Sequence, residues 1–283
     1  MNLNKKEAQI FIPDQKPLDD AIKRTTHMAI AAHQDDIEIM AYEGISTCFG
    51  NDNQWFFGVV VTNGSGSARE GIYKEYTDDQ MIEIRRKEQK KAAYIGEFGA
   101  LALLEYTSKE TKNPTDEIIV EELSRLIYFA KPETLYTHNL ADKHDTHIGV
   151  ATKVIKAIRK LDFKDRPKHL FGCEVWRDLD WMVDTEKVSF DVSPHPNIAQ
   201  ALVEVFDSQI IGGKRYDLAT AGRRLANATY STSHQVDQIS AVTYAMDLTP
   251  LIVDDTLDIS TYVTDYIERF KSDVKQRIEK MIF

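Results

Sequence analysis

Cysteine is nearly absent from this chain, with two in 283 residues. Cys48 and Cys173 lie in apolar surroundings and no CxxC spacing occurs. That excludes a disulfide framework and a thiolate-held metal, and predicts two buried free thiols. Long apolar runs are also missing, since no window approaches the ~18 residues of a membrane span. The first residues, Met1-Asn2-Leu3-Asn4-Lys5-Lys6-Glu7, lack the apolar core of a signal peptide. A cytoplasmic protein is the resulting expectation. Positive charge is in deficit, with a formal net charge of −10. A nucleic-acid footprint is therefore not expected, and neither is a polyanionic substrate. The densest basic stretch, Arg85-Arg86-Lys87 to Lys90-Lys91, is interleaved with Glu83, Glu88 and Gln89, as on a solvated helix face. Repeats and low-complexity segments are absent.

Hydrophobic residues make up 42% of the chain and charged residues 28%, the proportions of an ordinary globular protein. Apolar runs at 27–33, 55–62, 100–106 and 134–137 read as strands, the second near-continuously apolar as in a strand covered on both faces. Helical segments at 36–48, 77–95, 114–130 and 148–161 alternate with them. Thr77-Asp78-Asp79 starts the second of these, and Gly96 is expected to stop it as a helix-terminating glycine. Such alternation predicts an α/β fold, Rossmann-like, with a mostly parallel doubly wound sheet. Residues 1–25 read as an irregular N-terminal arm and 26–283 as one domain. Within it, 26–165 is the doubly wound core and 166–283 a C-terminal α+β elaboration packed upon it. The elaboration is expected to hold strands at 170–176, 187–192 and 238–246, and helices at 197–210, 214–228 and 261–282.

The first strand ends in Ala32-His33-Gln34-Asp35-Asp36-Ile37-Glu38. In parallel α/β sheets, ligands bind in the crevice at the carboxyl ends of the strands. His33 and Asp36 could turn toward one metal ion there, with Asp35 free beside it to act on a water. The competing reading makes Asp35 or Asp36 a helix N-cap and His33 incidental. A second polar loop, Asp142-Lys143-His144-Asp145-Thr146-His147, follows the fourth strand. In a doubly wound sheet the first and fourth strands often flank the point where strand order reverses, so these two loops would meet. The product would be a His-Asp-His site with one open position, the composition of a catalytic zinc. Other chemistries fit poorly. Gly64-Ser65-Gly66 begins a GxGxxG pattern but Arg69 occupies the third glycine, and no GxSxG elbow is present.

Four pieces in order resemble the PIG-L/LmbE deacetylases, zinc-dependent enzymes that remove acetyl groups from N-acetylglucosamine-type sugars. Ala32 to Glu38 resembles their AHPDDxE signature, and Thr62-Asn63-Gly64 their Thr-x-Gly turn. Arg85-Arg86-Lys87-Glu88 with Ala92-Ala93 and Ile95-Gly96 is similar to their RxxE helix, and His144-Asp145-Thr146-His147 to their HPDH segment. Glu174-Val175-Trp176-Arg177 and Phe190-Asp191-Val192-Ser193 resemble later strands, so the likeness spans roughly residues 27–210. Carried over by position, it implies Zn2+ held by His33, Asp36 and His147, with Asp35 as general base. His144 would stabilise the oxyanion and protonate the leaving amine, kept charged at neutral pH by Asp142 or Asp145. Arg85 would reach into the pocket to hold a substrate oxygen. This makes it an exception to the solvated face. Asp142 is a substrate-side residue expected to orient His144, and His195, on a loop between prolines, is a further candidate for the sugar pocket. Glu105 is a lesser candidate for a sugar hydroxyl, while His27, His138 and His169 are read as structural.

Two departures stand out: Gln34 replaces the usual proline, and Asp145-Thr146 replaces Pro-Asp. Neither removes a ligand or the base. The implied partner is a small-molecule amino-sugar conjugate, and relatives' habits make a homo-oligomer an expectation. A sugar-binding or assembly protein that keeps the fold without turnover is the alternative reading.

Overall fold

A computed structural model describes residues 2–282. Eight strands form one sheet: β1 Gln9–Phe11, β2 His27–Ala31, β3 Phe56–Thr62, β4 Ala100–Tyr106, β5 Thr134–His138, β6 His169–Cys173, β7 Val188–Asp191 and β8 Val242–Asp247. Their order across the sheet is β1-β4-β3-β2-β5-β6-β8-β7. The five central strands, β4-β3-β2-β5-β6, run parallel. β1, β8 and β7 join antiparallel at the two sides. The order reverses between β2 and β5, which pair directly, Met28 opposite Leu135. The expected convergence of the loops after these two strands therefore follows from the topology.

Helices cover both faces. In chain order they are α1 Leu18–Lys23, α2 Asp36–Met40, α3 Tyr42–Cys48, α4 Asp78–Ile95, α5 Ser108–Lys112, α6 Glu117–Ala130, α7 Asp145–Arg159, α8 Pro196–Glu204, α9 Asp207–Ile210, α10 Tyr216–Tyr230, α11 Pro250–Val253 and α12 Ile259–Ile282. The period-2 geometry of a strand sends alternate residues to opposite faces. Met28, Ile30 and Ala32 accordingly join one core with α6 and α7. Ala29 and Ala31 join the other, with α2, α3 and α8. Both cores mix aliphatic and aromatic side chains and are tightly buried, which fixes the strand ends that carry polar groups.

Helix α4 begins where expected because Thr77 and Gln80 form a reciprocal cap. The Gln80 N–H donates to Thr77 Oγ1 at 3.2 Å, and the Thr77 N–H to Gln80 Oε1 at 2.8 Å. Gly96 ends it for a different reason from the one expected. Its φ is −86°, outside the left-handed region. A Cβ there would instead lie 2.6 Å from the Phe98 ring, so close packing requires the glycine.

The N-terminal segment departs from the irregular arm expected of residues 1–25. Gln9, Ile10 and Phe11 pair with Leu103, Ala102 and Leu101 to extend the sheet, and α1 follows. Three residues are too short a run for alternation to show in sequence. The 166–283 portion supplies β6, β7 and β8 to the same sheet. No helix among the described residues is long and apolar enough to cross a membrane.

Candidate metal centre

Two loops build the site from opposite sides of the switch point. After β2 the chain turns sharply: Asp35 has φ +90°, a conformation that non-glycine residues rarely hold. Its side chain makes no capping bond to α2, so the N-cap reading fails for Asp35. Asp36 is drawn back instead, its Oδ2 accepting the His33 N–H at 2.7 Å. From the other side, the loop after β5 delivers His147 on the first turn of α7.

Three donor atoms meet there. His33 Nδ1 lies 3.2 Å from His147 Nε2 and 3.3 Å from Asp36 Oδ2. His147 Nε2 lies 3.4 Å from Asp36 Oδ2. A tetrahedral ion with bonds of about 2.0–2.1 Å holds its ligand atoms about 3.3–3.4 Å apart. The three donors thus form a face of such a tetrahedron. The donor set, two imidazoles and a carboxylate, is also that of a catalytic divalent-metal site. His33, Asp36 and His147 therefore fit a metal.

The protonation states support this fit. His147 Nδ1 donates to Asp142 Oδ2 at 3.1 Å, which leaves the Nε2 lone pair facing the cluster. Burial opposes charge on His147, but Asp36 and Asp142 outweigh it and raise its pKa. Asp36 is buried too, yet His147, His138 and His33 hold its carboxyl far below the usual range. Burial, only partly relieved by Asp36, lowers the pKa of His33.

Asp142 is corrected in role. Its carboxylate accepts from His147 Nδ1, the Trp176 N–H and the Lys143 N–H, and meets His144 only through the His144 N–H at 3.3 Å. It is 4% exposed and faces inward, behind the cluster rather than toward the cleft. Removing such an outer partner typically costs 10–100-fold in metal affinity. Asp142→Asn is therefore expected to weaken binding of a divalent metal by roughly that factor, as measured by competition with a chromophoric chelator.

His144 caps α7, its Nδ1 accepting the Thr146 N–H at 3.3 Å. Its Nε2 is thereby the protonated nitrogen. The expected raised pKa is not found: burial, with His147 and His33 nearby, pushes it down to about 4. Asp142 faces the other histidine and cannot sustain charge here. His138, read from sequence as structural, lies inside the cluster. It is fully buried, its Nε2 accepts the Ala32 N–H at 2.9 Å, and its ring stacks on His147 at 3.9 Å. Burial and His147 hold it neutral. With Nε2 engaged, it serves as a wall that fixes the His147 ring. A histidine ending a central parallel strand beside the switch point was the available signal.

These shifts give a pH prediction for the metal-free protein. His33, His138 and His144 have folded pKa values below the unfolded 6.5, so the native state binds fewer protons than the unfolded one. The contribution of these three is then lost as pH falls from about 6.5 toward about 4. His147, raised, acts oppositely, as do the buried acids Asp35, Glu38, Glu105 and Glu174, whose raised pKa values favour the native state as pH falls. The His144 share is read by difference: with acid, the urea midpoint of the wild type should shift downward relative to that of His144→Asn.

The outer cleft, about 380 Å³, is lined by His33, Asp35, Asp36, Arg85, His144 and Tyr216, among others. Burial raises the Asp35 pKa well above the usual carboxylate value, with Arg85 opposing and Asp36 reinforcing. Arg85, 4% exposed, places Nη2 at 3.3 Å from Asp35 Oδ2 and on the Gln34 carbonyl, and Nη1 on Ser67 Oγ. Gln34 itself ties the loop to the Thr62 carbonyl at 3.0 Å. Gly64, at φ +72°, leaves room for this packing, since a Cβ there would lie 2.4 Å from Gln34 Oε1. Two candidates stay outside. His195 is exposed at the start of α8, its ring 5.1 Å from Phe49, and does not line the cleft. Glu105 pairs with Arg86 at 3.0 Å, in a separate depression.

A His/Asp/His cluster with the geometry to hold a metal thus sits at the switch point of a Rossmann-like α/β sheet. Residues 28–158 match the family described as PIG-L: GlcNAc-PI de-N-acetylase. No curated protein matches the chain. Solved structures share the fold at low identity. An N,N'-diacetylchitobiose deacetylase from Pyrococcus horikoshii aligns with TM-score 0.65 at 12% identity, over 84% of this chain and 88% of its own. The 4-carboxy-2-hydroxymuconate hydratase GalB from Pseudomonas putida KT2440 aligns with TM-score 0.60 at 17% identity, over 79% and 96%. An A40926 pseudoaglycone deacetylase aligns with TM-score 0.58 at 14% identity, over 79% and 97%. Since a hydratase shares the fold with deacetylases, the chemistry must be argued from the site.

Proposed function

We propose that this protein is a zinc-dependent de-N-acetylase acting on an N-acetylated amino-sugar conjugate. The observation that carries the reading is the triangle of His33, Asp36 and His147 donors within the segment that matches the PIG-L family, beside an Asp35 that makes no capping bond. Held by these three residues, Zn2+ would polarise the amide carbonyl and lower the pKa of a water. Asp35 takes a proton from the attacking water, and its burial favours keeping that proton until the amine can accept it. Arg85 fixes the carboxylate through Nη2 and keeps its strained turn in place.

His144 is assigned a neutral role. With Nδ1 on the Thr146 N–H, it presents Nε2–H to the oxygen that gains charge as water adds to the carbonyl carbon. The C–N bond then breaks, and the proton held on Asp35 passes to the leaving nitrogen. The products are acetate and a free amine.

The test is a panel of N-acetylglucosamine conjugates incubated with the zinc-loaded protein. Acetate and amine should appear in equal amounts, and chelation should stop both. Zinc-loaded protein that binds conjugates without releasing acetate would support the non-catalytic sugar-binding alternative.

A further inference from the structure

The space at the cluster forks. Beside the outer cleft lies an inner chamber of about 170 Å³, and the two share Asp35, Asp36, Trp176 and Tyr216. A group bound at the cluster therefore has two directions in which to extend. Ile39, Val175 and Ala219 give the chamber apolar wall. Farther along α10 stand Arg223 and Arg224.

Arg224 is unusual in its bonding. It is 6% exposed, and no carboxylate among the described residues lies within ion-pair distance of it or of Arg223. Its Nη2 donates to the carbonyls of Glu38 and Ile39, at 2.8 and 3.1 Å, and its guanidinium lies 4.9 Å from the Tyr42 ring centre. Its Nε is buried with no acceptor. Arg223 donates Nη1 to the Val175 carbonyl and keeps its other donors. Unpaired burial pushes the Arg224 pKa down to about 10, a cost that an incoming anion would relieve.

The one carboxylate on the chamber wall apart from Asp35 and Asp36 is Glu174. Its oxygens are already taken, by the Leu179 and Tyr244 N–H groups and by Asn227 Nδ2, and burial raises its pKa. Arg223 acts on it through charge, opposing that rise, with no hydrogen bond or ion pair between them.

We infer that the inner chamber is a subsite for a carboxylate-bearing arm of the substrate, the carboxylate seating on Arg223 and Arg224 while the scissile amide lies at the cluster. Ile39, Val175 and Ala219 on the same chamber wall suit the methylene groups of such an arm. The planar guanidinium fork matches a carboxylate. The inference rests on the proposed amide hydrolysis for the identity of the group at the cluster, and on the two arginines for the rest.

The probe is N-acetyl-β-alanine, which carries an acetamide and a carboxylate two methylenes apart, set against its neutral isostere N-acetyl-β-alaninamide. Calorimetric titration of the full chain should show N-acetyl-β-alanine binding at least about tenfold tighter, as expected for charge-assisted hydrogen bonds. Arg223→Gln and Arg224→Gln should each remove most of that preference, and Arg224→Lys should restore part of it. Arg224 also holds α2, so thermal unfolding is followed in parallel; if Arg224→Gln fails to fold, Arg223→Gln decides. Equal binding of the two probes overturns the inference, as does a preference that both arginine variants retain, which would place the carboxylate on the metal or on Arg85. Failure of the hydrolytic reading looks different. An arginine-dependent preference without hydrolysis of any conjugate would leave the subsite standing and remove the reaction. Acetate release without a preference would do the reverse.

Discussion

Replacing Asp35 with asparagine should lower turnover by about two to four orders of magnitude, the range for loss of a positioned general base, while bound zinc stays unchanged. The two aspartates of the loop divide their work. Asp36 Oδ2 sits 3.3–3.4 Å from both imidazole nitrogens and belongs to the donor triangle. Asp35 points away from it into the cleft, held by Arg85 and by a backbone at φ +90°. That strained conformation would be costly for a simple cap, and no cap bond is made. The substitution keeps the size and the Arg85 neighbour but removes the ability to take a proton. Metal content and turnover measured on one preparation check it. Unchanged turnover in Asp35→Asn would assign the base elsewhere.

Removal of one ligand should have a different signature. His33→Ala and His147→Gln are each expected to reduce zinc from roughly one ion per chain to a small fraction, and activity with it. His33 is part-exposed and bonds mainly to the other ligands, so its removal should leave the metal-free fold intact. His147 is fully buried against His138 and Asp142, and its loss also leaves the Asp142 carboxylate without its ring partner. The melting temperature provides a second readout. A ligand that binds only the folded state stabilises by RT ln(1 + [L]/Kd), about 2.7 kcal/mol at one hundred times Kd. Added zinc should therefore raise the melting temperature of the wild type and leave that of either variant nearly unmoved.

Much of the fold was legible in the sequence because its signals are local. The apolar run of Met28 to Ala32 and that of Phe56 to Val61 lie in central strands buried on both faces, and they read directly as such. Thr77-Asp78-Asp79 announced α4, whose start Thr77 caps with its own side chain. The meeting of His33 with His147 followed from the alternation of strands and helices, which implies a switch point. What failed to show depends on direction. No spacing reveals that Asp142 turns toward His147 instead of His144, nor that His138 accepts the Ala32 N–H and becomes a wall of the cluster. The lowered pKa of His144 is likewise a product of its buried neighbours, not of its sequence context. His195 sits between prolines on a loop, a sound signal for function, but the turn into α8 carries it to the outer surface. Arg224 reads as one more helix charge until α10 is seen packed against α2.

The most direct test of the account is a titration of metal-free protein with Zn2+, following acetate release from an N-acetylglucosamine conjugate in the same samples. Acetate release should be absent without metal, rise in proportion to added zinc, and level off at about one equivalent per chain. Release of acetate by the metal-free protein would contradict the account, as would a fully loaded protein that releases none from any conjugate.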